Sequence, residues 1–297
     1  MPHRRRVRLR DPALSLMAIT FTFDLEDSRT DRSRPARFEA MTDQVLTFLA
    51  GRGVRGTFFV VGEIAESHPQ LLRRIAGAGH EIALHGYRHI PLDKHGRTSF
   101  TVDVSRGRAL LQDVCGARVT GYRAPIFSLT PHTCWGVDVL TEEGFEYSSS
   151  VLPAANPLNG WPGAPARPFR WSTGLLELPC PVAGHGRVSL PFLGGVYLRY
   201  LPMPVIRHLA ARVHHDGAGW IYCHPYDFDT EEDFDILPHA SMLTSRILYH
   251  RRAKAFRRIG MLLDTGVGDP LGLVATRLAH DADLPVINAS GAGSAPV

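Results

Sequence analysis

The chain is organised around one stretch, Glu81-Ile82-Ala83-Leu84-His85-Gly86-Tyr87-Arg88-His89. The apolar run before His85 predicts a short buried strand that ends there, and His89 falls in the following loop or first helical turn. A spacing of four residues lets both imidazoles reach one point, as binding of a divalent metal ion requires. Two unrelated histidines are the alternative, because a chain with 15 histidines produces this spacing by chance.

Acidic residues follow a second strand pattern, upstream of the histidines. The sequence Ala18-Ile19-Thr20-Phe21-Thr22-Phe23-Asp24 alternates apolar and polar residues, which predicts a β-strand that ends on a carboxylate. Glu26 and Asp27 follow, so three carboxylates lie close together in the sequence and repel one another. A bound cation offsets this repulsion, and an acidic loop end beside a helix cap is the alternative.

Strand and helix patterns alternate with short loops along most of the chain. Such alternation predicts an α/β barrel or a layered sheet. Asp24, His85 and Arg123 each fall at the C-terminal end of a predicted strand. His224 follows a later strand, Trp220-Ile221-Tyr222-Cys223. Barrels of this kind build their active sites at this end of the strands.

Length and charge set bounds on the chain. Its 297 residues, 44% of them hydrophobic, suffice for one large domain or two smaller ones. The net charge is +4, and basic residues are concentrated near the two ends. Such segments hold phosphate, anionic lipid or nucleic acid, or are solvated, and we predict no nucleic-acid partner. These residues are Arg4, Arg5, Arg6, Arg8, Arg10, Arg246, Arg251, Arg252, Lys254, Arg257 and Arg258.

The cysteines and the N-terminal stretch bear on the compartment. The four cysteines are widely spaced and form no Cys-x-x-Cys pair, which is typical of reduced, mostly buried residues. The apolar stretch after the first arginines lacks a cleavage site and is too short to span a bilayer. We therefore expect a cytoplasmic protein whose basic arm makes weak contact with the inner membrane surface or a lipid-linked saccharide. The sequence leaves the oligomeric state open.

Composition also divides the chain. We predict a basic arm at 1–16, a catalytic domain at 17–263, and a flexible tail at 264–297, which is rich in Gly, Ala, Asp and Ser. Within the domain, the Pro-rich composition of residues 151–181 predicts a long ordered loop or insertion.

The motifs, in their order, resemble the polysaccharide deacetylases of the NodB-homology type, carbohydrate esterase family 4. They are Thr22-Phe23-Asp24, His85-x-x-x-His89, Arg123-Ala124-Pro125 and His224 after a hydrophobic strand. The resemblance covers roughly residues 19–263. Further stretches, such as Ser149-Ser150-Val151-Leu152-Pro153 and His224-Pro225-Tyr226-Asp227, are similar to the subfamily found near bacterial exopolysaccharide gene clusters. The family's fold is a distorted, incomplete (β/α) barrel, which we therefore expect here.

The resemblance implies a metal-dependent hydrolase that removes acetyl groups from N-acetylated sugars of a poly- or oligosaccharide. Asp24 matches the general base, which Arg123 holds, and His224 matches the general acid. His85 and His89 match the metal ligands, with zinc as the default ion and cobalt or nickel as substitutes. The backbone N–H of Ile126 matches the donor to the oxyanion.

Two departures from the family pattern leave roles open. The usual adjacent pair of aspartates is replaced by Asp24-Leu25-Glu26-Asp27, so the third metal ligand is Glu26 or Asp27. Strand parity slightly favours Glu26. Ser148-Ser149-Ser150 stands where many relatives carry an aspartate that orients the acid histidine, so another group is needed for that role.

Candidates for binding the sugar lie near the motifs and in the insertion. Exposed tryptophans in a loop over a barrel mouth suit stacking on sugar rings, although packing of the loop onto the barrel, and of Tyr197 into the core, is equally consistent. The candidates are Tyr87, Pro125, Phe127, Trp161, Trp171 and Tyr197. Two other functions are compatible with the sequence: hydrolysis of a small non-peptide amide, and a non-catalytic carbohydrate-binding role. The intact histidine pair argues against a metal-free amide hydrolase, and the presence of Asp24 and His224 argues against the non-catalytic role.

Overall fold

The computed structural model describes residues 18–29, 31–156, 159–184, 186, 189–214, 219–236 and 241–289. The predicted basic arm, residues 1–16, lies outside these ranges, and so do residues 290–297. All four cysteines are free, and Cys180 and Cys223 are buried.

Nine strands form one sheet that is parallel except at a single pairing, β6 with β7. Its order is β10-β1-β2-β3-β4-β5-β7-β6-β11, and a separate hairpin is made of β8 and β9. The strands are β1 (Ile19–Leu25), β2 (Thr57–Val60), β3 (Glu81–Leu84), β4 (Gly121–Tyr122), β5 (Tyr147–Ser148), β6 (Phe169–Trp171), β7 (Leu176–Glu177), β8 (Val182–Ala183), β9 (Leu190–Pro191), β10 (Gly219–Cys223) and β11 (Val286–Ile287).

Ten helices cover the sheet or join its strands within the described residues. They are α1 (Phe38–Ala50), α2 (Gly62–Ser67), α3 (Pro69–Gly77), α4 (Arg97–Cys115), α5 (Gly136–Glu142), α6 (Gly195–Tyr200), α7 (Met203–His214), α8 (Met242–Tyr249), α9 (Ala255–Leu263) and α10 (Leu271–Leu278). None of these helices is both long enough and apolar enough to cross a bilayer. The predicted α/β class is confirmed, and no strand pairing in the described chain joins β10 to β11, so the barrel is incomplete.

The alternation of β1 places its residues on two faces. Phe21 and Phe23 are fully buried in the larger apolar core, which also receives Val45 and Leu49 of α1. The opposite face, which carries Thr20, Thr22 and Asp24, is also buried. The polar face of this strand therefore lies inside the protein, where its side chains need partners.

The predicted tail is wrong for residues 264–289. Leu271, Val274 and Ala275 of α10 pack in a second apolar cluster together with Phe59 and Trp220. These apolar residues recur at helical spacing, a signal that the Gly- and Asp-rich composition around them masked. Farther on, β11 pairs in parallel with β6 and extends the sheet by one strand.

The amino end of α10 is anchored at the start of two strands. The Leu271 N–H donates a 2.8 Å hydrogen bond to Thr57 Oγ1, and the Gly272 N–H donates one of 2.8 Å to Glu81 Oε2. Thr57 and Glu81 are the first residues of β2 and β3. The start of the helix therefore lies where β2 and β3 begin. Asp24 and His85 lie at the opposite, carboxyl-terminal ends of the parallel strands.

The Pro-rich stretch 151–181 is ordered where it is described, and it contributes β6 and β7 to the main sheet. Trp171 lies in β6 and is fully buried, with its indole N–H 3.4 Å from Glu177 Oε2. The prediction that Trp171 contacts a sugar is therefore wrong, because its ring has no exposed surface.

Candidate active site

Three side chains bring their donor atoms to one point at the carboxyl ends of β1 and β3. These are Glu26, His85 and His89, whose candidate ligand atoms all lie within 4.8 Å of one another. His89 Nε2 is 2.5 Å from Glu26 Oε2, and His85 Nε2 is 3.9 Å from the same oxygen. Two imidazoles and one carboxylate form a donor set that suits zinc and leaves further positions for water or substrate.

The two histidines are held in different ways. His85 is buried directly after β3, and its Nδ1 is 2.9 Å from the carbonyl oxygen of Arg123, which turns Nε2 toward Glu26. Burial lowers the pKa of His85 to about 4, so the ring is neutral, as a ligand must be. His89 lies in the following loop with φ of +56°, a backbone conformation that is rare outside glycine and typical of functional sites.

Charge and burial act in opposite directions on Glu26 and His89. Burial disfavours the ionised form of both groups, but each lies close to the other, and the net result is a lowered pKa for Glu26 and a raised pKa for His89. The Nε2 atom of His89 is buried against Glu26 Oε2, 2.5 Å away. The nitrogen and the carboxylate oxygen therefore face each other directly.

Asp27 does not join this group. Its Oδ2 is 2.6 Å from Arg29 Nη2 and 2.6 Å from Arg32 Nη1. These two guanidinium groups offset the negative charge of Asp27. Of the two alternatives for a third ligand, the structure brings only Glu26 to the histidines.

Asp24 occupies the middle of the site. Its Oδ1 accepts a 2.6 Å hydrogen bond from Arg123 Nη1, while its Oδ2 is 4.0 Å from His85 Nε2 and 3.8 Å from His224 Nε2. Arg123 is fully buried and also donates to Thr22 Oγ1. Since both partners are buried, the pair has little solvent screening, and the guanidinium fixes one oxygen of Asp24 while leaving the other free.

His224 reaches the site from β10, on the other side of β1. Its Nδ1 is 3.1 Å from Asp227 Oδ2, and its ring stacks on that of Tyr226, with centroids 4.7 Å apart. Burial alone lowers the pKa of His224, but the hydrogen bond to Asp227 and the negative charges of Glu26, Asp227 and Asp24 together outweigh it and raise the pKa to about 9. His224 is therefore protonated near neutral pH and has its Nε2 directed toward Asp24.

Asp227 and Arg199 are residues that the sequence analysis missed. Arg199 is buried in α6, and its Nη2 is 3.3 Å from Asp227 Oδ1. The local signal was available, because Asp227 stands three residues after His224 in His-Pro-Tyr-Asp. Arg199 is distant in sequence and carried no such signal.

The serine run at 148–150 serves the turn after β4. The Ala124 N–H donates a 2.8 Å hydrogen bond to Ser150 Oγ, and Ser149 Oγ accepts from Arg123 Nη2 at 3.1 Å. Ile126, in the same turn, is 41% exposed and has φ of +49°. The serines therefore support Arg123 and the turn of Ile126, and it is Asp227 that contacts His224.

The other sugar-binding candidates fall into two groups, buried and half-buried. Tyr87 is only 5% exposed, and its hydroxyl donates to Glu66 Oε2. Pro125 is also buried. Neither residue offers a ring surface to a sugar, so these two predictions are wrong. Phe127, Trp161 and Tyr197 are half-buried and stay predictions. Phe127 packs against Trp220 and Tyr222, with ring centroids 6.2 and 5.4 Å away.

Two cavities open beside the donor group. One has a volume of about 320 Å³ and is lined by Glu26, Tyr226 and Tyr249, among others. The second, of about 270 Å³, reaches Glu26 and His89. The donor group is therefore accessible to a ligand.

Comparison with known proteins divides the chain near residue 147. The profile of the polysaccharide deacetylase family matches residues 15–146, and that of a domain of unknown function, DUF3473, matches residues 149–266. A chitooligosaccharide deacetylase of Sinorhizobium fredii is 38% identical over 34% of this chain and 44% of its own length. A peptidoglycan-N-acetylglucosamine deacetylase of Bacillus cereus is 34% identical over 31% of each chain. This chain thus covers less than half the length of these two curated relatives.

Solved structures show the same fold over nearly the whole chain. A Mycobacterium smegmatis protein described as a polysaccharide deacetylase has a TM-score of 0.61 at 23% identity, over 93% of this chain and 95% of its own. Puue allantoinase has a TM-score of 0.59 at 16% identity, over 91% of this chain and 93% of its own. The fold therefore extends across both matched regions, and it is residues 15–146 that match the polysaccharide deacetylase family in the profile and in the curated relatives.

Proposed function

We propose that this protein is a metal-dependent hydrolase that removes acetyl groups from N-acetylated sugars of a poly- or oligosaccharide. The observation that carries the proposal is the convergence of Glu26, His85 and His89 beside Asp24. The names of the similar proteins, a chitooligosaccharide deacetylase and a peptidoglycan-N-acetylglucosamine deacetylase, support an N-acetylated saccharide as substrate.

The donor set fits a divalent cation, with zinc as the default and cobalt or nickel as substitutes. Glu26, His85 and His89 would hold it, and the convergence of their donor atoms within 4.8 Å supports this assignment. When bound, the cation supplies a Lewis acid that polarises the acetyl carbonyl and makes water more acidic.

Asp24 is the proposed general base. Its Oδ1 is fixed by Arg123, and its Oδ2 faces the space between His85 and His224, where it can accept a proton from water. The N–H of Ile126 is the proposed donor to the oxyanion. The left-handed conformation of Ile126 belongs to the turn directly after Arg123, so base and oxyanion donor are positioned by one segment.

His224 is the proposed general acid. Amide cleavage needs a proton on the leaving nitrogen, and His224 carries one at neutral pH because Asp227 stabilises the imidazolium. Asp227 is a positioning residue that is fixed in turn by Arg199. The Asp227 carboxylate fills the role that the serine run leaves open.

We infer that the substrate belongs to bacterial exopolysaccharide synthesis, on the resemblance of the motifs to that subfamily. A cytoplasmic location with contact between the basic arm and the inner membrane stays a prediction, since residues 1–16 lie outside the described residues. The catalytic domain that we propose extends beyond residue 263 to at least 289, because α10 and β11 complete its core and sheet.

One experiment separates the proposed function from the alternatives. The purified protein is assayed for bound metal and for acetate release from N-acetylglucosamine oligomers, with and without a chelator. We expect one metal ion per chain and release that stops on chelation. Chelator-resistant hydrolysis of a small cyclic amide would favour the amide hydrolase, and oligomer binding without acetate release would favour the carbohydrate-binding role.

A further inference from the structure

The helix α8 presents apolar side chains to solvent. Met242 is 54% exposed, Leu243 69% and Ile247 38%. Leu243 and Ile247 are four residues apart and so share a helix face. These three are among the eleven exposed large apolar residues in the described chain. A concentration of this kind on one short segment marks an interaction surface, whereas scattered apolar residues do not.

Exposed cations accompany this apolar face. Arg246 lies one turn from Met242 and Leu243 on α8, and Arg251, Lys254 and Arg257 follow it in sequence, all exposed. None of these four forms an ion pair with a carboxylate of the described residues. Their positive charge is therefore available to an external partner.

The segment is fixed to the edge of the candidate active site. Arg199, which holds Asp227, also donates a 2.8 Å hydrogen bond to the carbonyl oxygen of Leu248. Arg252 is buried, pairs with Glu232 at 2.6 Å and lies over the ring of Tyr249, with Cζ 3.9 Å from the centroid. Tyr249 lines the larger of the two cavities beside Glu26. The helix α8 is thus connected through Leu248 and Tyr249 to groups beside that cavity.

We propose that Met242, Leu243, Arg246 and Ile247, with the cations Arg251, Lys254 and Arg257, form a docking surface for an anionic lipid bilayer. Apolar side chains that insert at the interface, next to cations that contact lipid headgroups, are the two components of peripheral membrane binding. The charge of the patch is complementary to such a surface. This inference goes beyond the proposed hydrolase function and does not depend on it.

The first test measures binding to vesicles by co-sedimentation. The full-length protein is mixed with phosphatidylglycerol/phosphatidylcholine vesicles or with pure phosphatidylcholine vesicles. We expect binding to the anionic vesicles, about tenfold weaker for the double variant Leu243→Ser/Ile247→Ser, because apolar surface no longer inserts. The matched control Val102→Ser/Leu273→Ser removes residues of similar exposure on α4 and α10 and is expected to bind like the unaltered protein. Equal binding of the two double variants would overturn the proposal.

The second test detects contact directly, so that binding through the basic arm does not affect it. A tryptophan is introduced by Leu243→Trp or, as the control, by Val102→Trp. The quenching of tryptophan fluorescence by brominated lipid is then compared between the two variants and the unaltered protein. Additional quenching only in Leu243→Trp supports the proposal, and equal quenching overturns it. Binding of heparin without vesicle binding would identify a soluble polyanion as the partner instead. Loss of a dimer in Leu243→Ser/Ile247→Ser, without vesicle binding, would identify the patch as a contact between two copies.

Discussion

The two matched regions of the chain contribute to the candidate site in different ways. Residues 18–146 supply the candidate metal donors and the pair Asp24–Arg123, all within a few residues of the carboxyl ends of the parallel strands β1, β3 and β4, with β2 between β1 and β3. Residues 149–266 supply His224, which reaches the site only because β10 returns to pair with β1. The candidate metal donors and the proposed base thus come from the ends of strands within one parallel run, β1 to β4. The acid side depends on how the second region folds.

The partners of the site residues follow the same division. In the first region, one buried arginine fixes the base through a direct hydrogen bond. In the second, His224 is held by Asp227, and Asp227 by Arg199 from a separate helix. Variants in the first region should therefore change metal binding or the base, and variants in the second should change proton delivery alone.

The largest expected effect is on the histidine pair. His85→Ala and His89→Ala should each abolish metal binding and acetate release, because removal of one neutral nitrogen donor leaves only two protein ligands. The fold should remain, since the sheet does not depend on these rings. His132→Ala, at an exposed histidine, is the control. Metal content is measured on purified protein, and stoichiometric metal in the double alanine variant would place the site elsewhere.

The next comparison is between the two neighbouring carboxylates. Glu26→Ala should weaken metal binding by more than the roughly 10–100-fold that is typical when a group behind a ligand is removed. Asp27→Ala should have little effect on metal affinity, because Asp27 is paired with Arg29 and Arg32. Titration of apoprotein with zinc gives both affinities. Small and equal losses would show that neither carboxylate binds the metal.

Asp24→Asn and His224→Ala should keep the metal and lose rate. A positioned acid or base contributes roughly 10²–10⁴-fold, so we expect losses in that range on an N-acetylated sugar. For His224→Ala the loss should be smaller on an aryl acetate, because a good leaving group needs no proton. Both variants are assayed on both substrates, with metal content measured in parallel. Equal loss on the two substrates would exclude His224 as the acid, and metal loss in Asp24→Asn would make Asp24 a ligand.

Much of the first region could be predicted from sequence because its signals are local. Period-two alternation located β1 and placed Asp24 near its end, one residue before the observed end at Leu25, and the four-residue spacing of the histidines indicated a shared metal site. Strand parity favoured Glu26 over Asp27 only slightly, because the choice depends on the path of the chain after Leu25. In the structure Asp27 turns to Arg29 and Arg32 instead.

The second region was harder to predict because its signals are long-range. Trp171 has the sequence context of a loop residue, yet it is buried once β6 joins the sheet. The helix α10 lies in a segment of tail-like composition, and its apolar residues are buried by contacts with distant residues such as Phe59 and Trp220. Arg199 could not be connected to His224 by any pattern in the sequence.

The smallest effect expected is a shift in the pH dependence, and it tests the role of Asp227 alone. An acid catalyst works only while protonated, so activity should fall as the pH rises through the pKa of His224, about 9. Asp227→Asn removes one of the charges that raise this pKa, so that only Glu26 and Asp24 are left to oppose the effect of burial, which lowers it. The alkaline limb of kcat/KM should therefore move to lower pH, while metal content is unchanged. In Asp27→Asn, a control whose carboxylate does not contact His224, the limb should stay in place. An unmoved limb in Asp227→Asn would mean that Asp227 only supports the fold, and the proton donor would then have to be sought among other groups near Asp24.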